Sequence, residues 1–255
     1  PVGGAVFECD LQRESEFVQE LADRIGMERY DTGNVCVDIT GFMRPHLLFL
    51  LLFFQVSGFK KVDFLYAEPG QYRRQEDTTF SDEDVTEVRQ VEGFEGQHSA
   101  DTSKDLLVLG TGYDHALISQ VAKNKDHARK AQILGLPSLM PDMYQENVLR
   151  VQRAAEAVGV HVREARASRF APANDPFVTA AVLRDIIEEE RSIAGLSNLY
   201  LSPLGTKAQA LGFGLYFVNE CRGEATSLLF PFHRNYSAET SIRCGTVWLY
   251  RVEFL

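Results

Sequence analysis

Short apolar runs typical of β-strands alternate along the chain with longer segments of helical periodicity. Strands are predicted at residues 35–39, 62–66, 106–109, 160–162, 199–201, 227–230 and 246–254. Helices are predicted at residues 10–26, 47–56, 114–123, 142–158, 174–193 and 208–219. This alternation is typical of βαβ units, in which helices join parallel strands and cover the faces of a sheet. The sequence therefore predicts an α/β fold with a mostly parallel open sheet and helices on both faces.

Two of the predicted strands differ in pattern. Residues 106–109 are continuously apolar, which indicates a strand covered on both faces, whereas apolar residues alternate along 246–254, which indicates an edge or antiparallel strand. The chain shows neither an internal repeat nor a Ser/Gly-rich linker. We therefore expect residues 1–255 to form a single Rossmann-like domain.

Most of the excess negative charge lies in one segment, residues 67–104. The whole chain has a formal charge of −10, and this segment holds ten acidic residues against four basic ones. A segment of this length between two strands is predicted to be an acidic insertion, which is a lid, a surface that docks a partner, or a solvated loop. The global charge argues against sequence-blind binding of nucleic acid, which depends on Lys and Arg. The rest of the chain is nearly balanced, so an anionic small molecule is not excluded.

Cysteine spacing and hydropathy predict a cytoplasmic protein. Cys9, Cys36, Cys221 and Cys244 form no CxxC pair and no zinc-site spacing, so we expect free thiols in a reducing compartment. The longest apolar run, residues 47–54, is far shorter than the roughly 20 residues that span a bilayer. It also lies inside the chain, unlike a signal peptide, and is predicted to be a core helix.

The turn that precedes the helix at 208–219 carries the strongest binding signal. In open α/β sheets, ligands bind beyond the carboxyl ends of the strands. Here Ser202, Gly205, Thr206 and Lys207 follow a strand and begin a helix, combining backbone N–H groups, a hydroxyl and a positive charge. This chemistry suits a phosphate or carboxylate, although the Walker A spacing is absent. The alternative is an ordinary capped helix with an exposed lysine.

Residues 201–211, LSPLGTKAQAL, resemble the strand, Gly-Thr-Lys and helix signature of CARF-type Rossmann domains. These domains are cyclic-oligonucleotide sensors of prokaryotic antiviral systems. The resemblance implies that Gly205, Thr206 and Lys207 contact a phosphorylated nucleotide-like ligand, and that the turn containing Thr40 faces them. It also implies a sensor or regulatory subunit that acts on a protein partner or as a homo-oligomer.

Two further groups follow predicted strands. Gly110 and Gly112 begin like a dinucleotide-binding fingerprint, but His115 occupies the position of the third Gly or Ala. We therefore interpret them as a tight turn that lines the ligand site. The second group lies near the end of the strand at 227–230 and offers an imidazole, a guanidinium and a phenol to a phosphate or a base, unless it is a solvated loop. It consists of His233, Arg234 and Tyr236.

Two carboxylates raise an enzymatic alternative. Asp38 and Glu68 follow neighbouring strands and so qualify as a general acid and base, or as ligands of a Mg²⁺ ion beside a phosphate. This predicts a hydrolase or transferase acting on a nucleotide or phosphoester. Their structural interpretation is a helix cap for Asp38 and a turn residue for Glu68. A third hypothesis is a structural subunit whose acidic segment docks a basic partner. No dedicated metal site is predicted.

Overall fold

The computed structural model describes residues 13–27, 35–72, 85–112, 114–139, 168–233 and 241–254, and the helical positions 145, 148–149, 152–153 and 158. The helices are α1 (Glu14–Ile25), α2 (Arg44–Val56), α3 (His115–Asn124), α4 (Pro176–Ala194) and α5 (Lys207–Tyr216), which continues as a π-turn over Phe217–Cys221. The strands are β1 (Val35–Asp38), β2 (Lys61–Tyr72), β3 (Val85–Gln90), β4 (Leu106–Gly110), β5 (Arg129–Gly135), β6 (Ser168–Ala171), β7 (Leu199–Pro203), β8 (Thr226–His233) and β9 (Ser241–Glu253).

The described strands form two sheets, of which the larger has six strands in the spatial order β3-β8-β7-β4-β5-β6. Neighbouring strands from β8 to β6 run parallel, and β3 pairs antiparallel with β8 at one edge. The central strands β4 and β7 are buried along their whole length. Helices flank the sheet: α3 contacts β3 and β8, α4 contacts β6, and α5 contacts β7. The predicted α/β class with a mostly parallel sheet is therefore confirmed.

The first, second and last strands form a separate sheet, which differs from the single sheet that the alternation predicts. β1 pairs parallel with β2, and β2 pairs antiparallel with β9. One face of this smaller sheet is buried, including Phe64 and Tyr250, whereas Val247 and Leu249 on the other face are exposed. The alternation in 246–254 correctly indicated a half-buried antiparallel strand. Both sheets contribute to one hydrophobic cluster.

The acidic segment, residues 67–104, is built into both sheets where the structure describes it. The strand predicted to end at residue 66 continues to Tyr72, and residues 85–90 form β3. Phe94 is fully buried. These parts are therefore not the continuous loop or lid that the charge pattern predicts. Residues 73–84, which hold half of the ten acidic side chains, lie outside the described residues.

Other predicted elements agree in part. Helical conformation at the described positions between 145 and 158 agrees with the helix predicted over 142–158. The strand predicted at 160–162 lies outside the described residues. Three strands of the larger sheet, β3, β5 and β6, were absent from the prediction.

Helices α2 and α5 pack side by side and run in the same direction. Near their starts, Arg44 Nε donates a hydrogen bond to the carbonyl oxygen of Gly205, at 2.7 Å. Near their ends, Gln55 Nε2 donates to the carbonyl oxygen of Val218, at 3.3 Å. Between these contacts a Cβ on Gly214 would lie 2.8 Å from the side chain of Leu48, so the two helices are closely packed at this glycine. The amino-terminal ends of both helices therefore meet at one place.

Cysteine state and helix length bear on the predicted compartment. Cys36, Cys221 and Cys244 are free thiols, and burial raises the pKa of the Cys221 thiol to about 11. Cys9 lies outside the described residues. Over the part of the chain that is described, no helix has both the length and the apolar character needed to cross a membrane.

Candidate functional site

The turns that follow β4 and β7 lie against each other at the carboxyl edge of the larger sheet. Leu204 N donates a hydrogen bond to the carbonyl oxygen of Gly110, at 2.9 Å. A Cβ on Gly112 would lie only 2.0 Å from the carbonyl oxygen of Leu204. Gly112 is therefore required by contact between two protein backbones. The structure places both glycines beside the Gly205 turn, and their role toward a ligand stays a prediction.

The start of α5 is held by a complete capping box. Thr206 Oγ1 accepts a hydrogen bond from Gln209 N at 3.1 Å, and Gln209 Oε1 accepts one from Thr206 N at 3.3 Å. Thr206 Oγ1 also donates its proton to the carbonyl oxygen of Ala173. A hydroxyl has one proton, so the Thr206 O–H that was predicted to donate to a ligand donates instead to Ala173. In this structure Thr206 acts as a helix cap.

Replacing Thr206 with alanine is expected to lower the free energy of unfolding by about 2 kcal/mol, because the cap and the hydrogen bond to Ala173 are both lost. Thr206→Ser keeps the hydroxyl and is expected to cost only a few tenths of a kcal/mol. Urea denaturation of the two variants measures the difference. Equal costs for alanine and serine would show that the hydroxyl does not cap α5.

Lys207, the first residue of α5, is mostly buried and points across to the smaller sheet. Its Nζ donates a hydrogen bond to the carbonyl oxygen of Thr40, which lies just beyond β1. Burial, with a further contribution from the charge of Arg44, lowers the pKa of Lys207 from 10.5 to about 8, and Asp38 partly opposes this shift. The protein therefore holds an ammonium group where its charged form is unfavourable.

Arg44, the first residue of α2, is a second cation at the same place. Its Nε contacts Gly205, and its Nη1 and Nη2 atoms have no partner in the residues that the structure describes. Arg44 was not among the site residues predicted from the sequence. A signal was present, because Arg44, like Lys207, is a basic residue at a helix start that follows a strand and a short turn.

The two helix starts add to the positive charge of the two side chains. Neither α2 nor α5 has an acidic residue in its first turn, and the N-cap residue of α2, Met43, provides no side-chain cap. Each helix end contributes roughly half a positive charge. We call Arg44, Lys207 and these two helix starts the cation pair site. Such an arrangement is suited to bind an anion.

Asp38 and Glu68 lie on opposite faces of the smaller sheet, so the predicted acid and base do not converge. Asp38 is on the exposed face, where its Oδ1 accepts a hydrogen bond from Thr40 N at 2.9 Å. Glu68 is on the buried face and accepts a hydrogen bond from Trp248 Nε1 at 2.7 Å. Burial raises the pKa of Glu68. Joint acid–base catalysis or joint Mg²⁺ binding by this pair is therefore not supported.

The remaining predicted residues are Ser202 and the group at the end of β8. Ser202 is fully buried at the end of β7, and its Oγ has no hydrogen-bond partner among the described residues. His233 ends β8, and its side chain, like Arg234 and Tyr236, lies outside what the structure describes. Over the described part of the chain, no three His, Cys, Asp or Glu side chains gather in a way that would hold a metal ion.

Comparison with known proteins gives no relative: no protein-family model, curated protein or solved structure matches the chain. Functional inference therefore depends on the chemistry of the cation pair site and on its place in the fold.

Proposed function

We propose that this chain binds a phosphorylated, nucleotide-like ligand at the cation pair site and acts as a sensor or regulatory subunit. The observation that carries the proposal is the convergence of Lys207 and Arg44, whose hydrogen-bond partners are the backbone carbonyls of Thr40 and Gly205. Two cations in contact with neutral acceptors at two positive helix ends repel each other. A bound phosphate would relieve that repulsion.

The order of the strands supports a Rossmann-like interpretation of the larger sheet. Taken in chain order, its parallel strands β4 to β8 are arranged 3-2-1-4-5, which is the order of dinucleotide-binding Rossmann folds. In such sheets the ligand binds where the strand order reverses, between the first and fourth strands. Those strands are β4 and β7 here, and Gly205 and Lys207 directly follow β7.

The position of the site between the two sheets supports a sensory role. Lys207 begins a helix of the larger sheet, whereas Thr40 and Arg44 follow β1 of the smaller one. A phosphate that binds both cations would compete with the carbonyl oxygen of Thr40 for Lys207 Nζ, so occupancy would change how the sheets are held together. Together with the resemblance to CARF-type domains, this supports a role in prokaryotic antiviral defence, with a protein partner or a second copy receiving the signal in the cytoplasm.

Calorimetric titration with a panel of nucleotides tests the proposal. The panel contains mononucleotides, dinucleotides, and linear and cyclic oligonucleotides. At least one member is expected to bind the wild-type protein, and to bind Lys60→Met equally well. Lys60 is exposed and precedes β2, whereas the site lies beyond the carboxyl end of the parallel neighbour β1. Absence of binding across the panel would overturn the proposed function.

The affinity for the ligand is expected to depend on pH in one direction. The free protein has a Lys207 pKa of about 8, and a bound anion raises it, so binding takes up a proton above that pH. Affinity should therefore be nearly constant from about pH 6.5 to 7.5 and fall roughly tenfold per unit above about pH 8.5. Calorimetry across this range, corrected for the titration of the ligand's own phosphate, measures the effect. Affinity independent of pH would contradict the role of Lys207.

A further inference from the structure

The guanidinium of Arg44 is held in a way that leaves its binding edge available. Its Nε donates a hydrogen bond to the carbonyl oxygen of Gly205, at 2.7 Å, and this bond anchors the side chain. Its Nη1 and Nη2 have no partner within the described residues. These two nitrogens carry four N–H groups in one plane. A planar pair of donors matches two oxygens of one carboxylate or phosphate.

The net charge beside the Arg44 guanidinium determines how many negative charges a bound anion should carry. Arg44 and Lys207 contribute two positive charges, and Asp38 is close enough to offset part of this by raising the pKa of Lys207. Asp38 is exposed, so water screens its charge more than it screens the buried Lys207. With roughly half a charge from each helix start, the site has an excess of about two positive charges. A monoanion would neutralise only part of it.

We infer that the group bound at the cation pair site is a phosphate with at least two negative charges, a monoester or pyrophosphate, held by Nη1 and Nη2 of Arg44 and by Nζ of Lys207. The inference rests on the proposed function and specifies its ligand class. At pH 7 a phosphate monoester carries a charge of about −1.5 to −2. A phosphodiester or a carboxylate carries one. The ligand is then a nucleotide with a terminal phosphate. This departs from the cyclic oligonucleotides that CARF-type domains bind, whose rings contain only diesters.

Four small anions at constant ionic strength test the inference without knowledge of the whole ligand. Inorganic phosphate, pyrophosphate, dimethyl phosphate and acetate are titrated into the full chain, with binding followed by calorimetry and by thermal shift. Phosphate and pyrophosphate are expected to bind at least tenfold more tightly than dimethyl phosphate, and acetate is expected not to bind measurably. Constant ionic strength separates site binding from general screening.

Arg44→Lys tests the forked geometry separately from the charge. This variant keeps one positive charge but cannot present two coplanar donors, so its affinity for pyrophosphate is expected to fall at least tenfold. Arg184→Lys is the matched control, because Arg184 is an exposed arginine that pairs with Glu220 away from the site. It should bind pyrophosphate like the wild type. Thermal unfolding of both variants establishes that they are folded.

The outcomes separate the two proposals. Equal binding of phosphate and dimethyl phosphate, or full affinity in Arg44→Lys, would overturn the inference about a dianionic phosphate while leaving an anion site in place. If none of the four anions binds and the nucleotide panel also fails, the proposed function itself is wrong. If a nucleotide binds but phosphate and pyrophosphate do not, the site recognises another part of that nucleotide, and the inference fails alone.

Discussion

Replacing Lys207 with methionine is expected to stabilise the unliganded protein and to weaken its binding of phosphorylated ligands roughly 30-fold or more. The pKa of Lys207 falls from 10.5 to about 8 on folding, so holding the charged form at pH 7 costs about 3 kcal/mol. Loss of the hydrogen bond to Thr40 offsets about 1 kcal/mol of the gain. A net stabilisation of about 2 kcal/mol should raise the melting temperature by roughly 4–8 °C.

The stability of the protein should also depend on pH through Lys207. Because the folded pKa lies below the unfolded one, the unfolded chain binds more protons between about pH 8 and 10.5. The contribution of Lys207 to wild-type stability should therefore rise across that window, and the advantage of Lys207→Met should shrink there. Lys60→Met, a change at an exposed lysine, should show neither effect. A Lys207→Met protein less stable than the wild type at pH 7 would show that the ammonium is not strained.

Replacing Gly112 with alanine is expected to destabilise the protein by about 3 kcal/mol, because the new methyl group meets a backbone atom that cannot rotate away. A Cβ at this position would lie 2.0 Å from the carbonyl oxygen of Leu204. The turns after β4 and β7 would have to separate, which would displace Gly205 and the start of α5. Denaturant unfolding gives the stability, and ligand affinity reports the displacement.

Gly41→Ala is the matched control for this substitution. A Cβ at Gly41 meets no atom within 4 Å, although the residue lies in the turn that Lys207 contacts. Its unfolding free energy should change by no more than about 0.5 kcal/mol. If Gly112→Ala is as mild as Gly41→Ala, the two turns are not packed as described, and the geometry of the site must be revised.

The central strands were predictable because their burial is visible in their own sequences. β4 and β7 are buried on both faces, so their apolar runs are continuous and locally visible. β5 was missed because it begins with Arg129 and Lys130, whose charges look like a surface segment. Arg129 is in fact paired with Glu190 of α4, which is a contact between residues distant in the chain. Division of the strands into two sheets likewise depends on long-range pairing that local patterns do not contain.

The residues of the site also differ in whether local sequence reveals them. Lys207 was identifiable because a glycine turn, a cap and a cation follow one strand, whereas the partnership of Arg44 with Gly205 joins residues 161 positions apart. The structure separates Asp38 from Glu68 for a geometric reason. β2 continues through Glu68, so strand alternation places that side chain on the buried face, opposite Asp38.

The pKa of Lys207, followed by NMR of lysine labelled at the ε-carbon with and without pyrophosphate, tests the central claim most directly. In the free protein the ammonium is expected to titrate at about pH 8, well below the ordinary lysine value of 10.5. Saturating pyrophosphate should raise that midpoint by about one pH unit or more, because an adjacent anion favours the charged form. A free-protein midpoint near the usual 10.5, or one that pyrophosphate does not move, would contradict an anion site at the starts of α2 and α5.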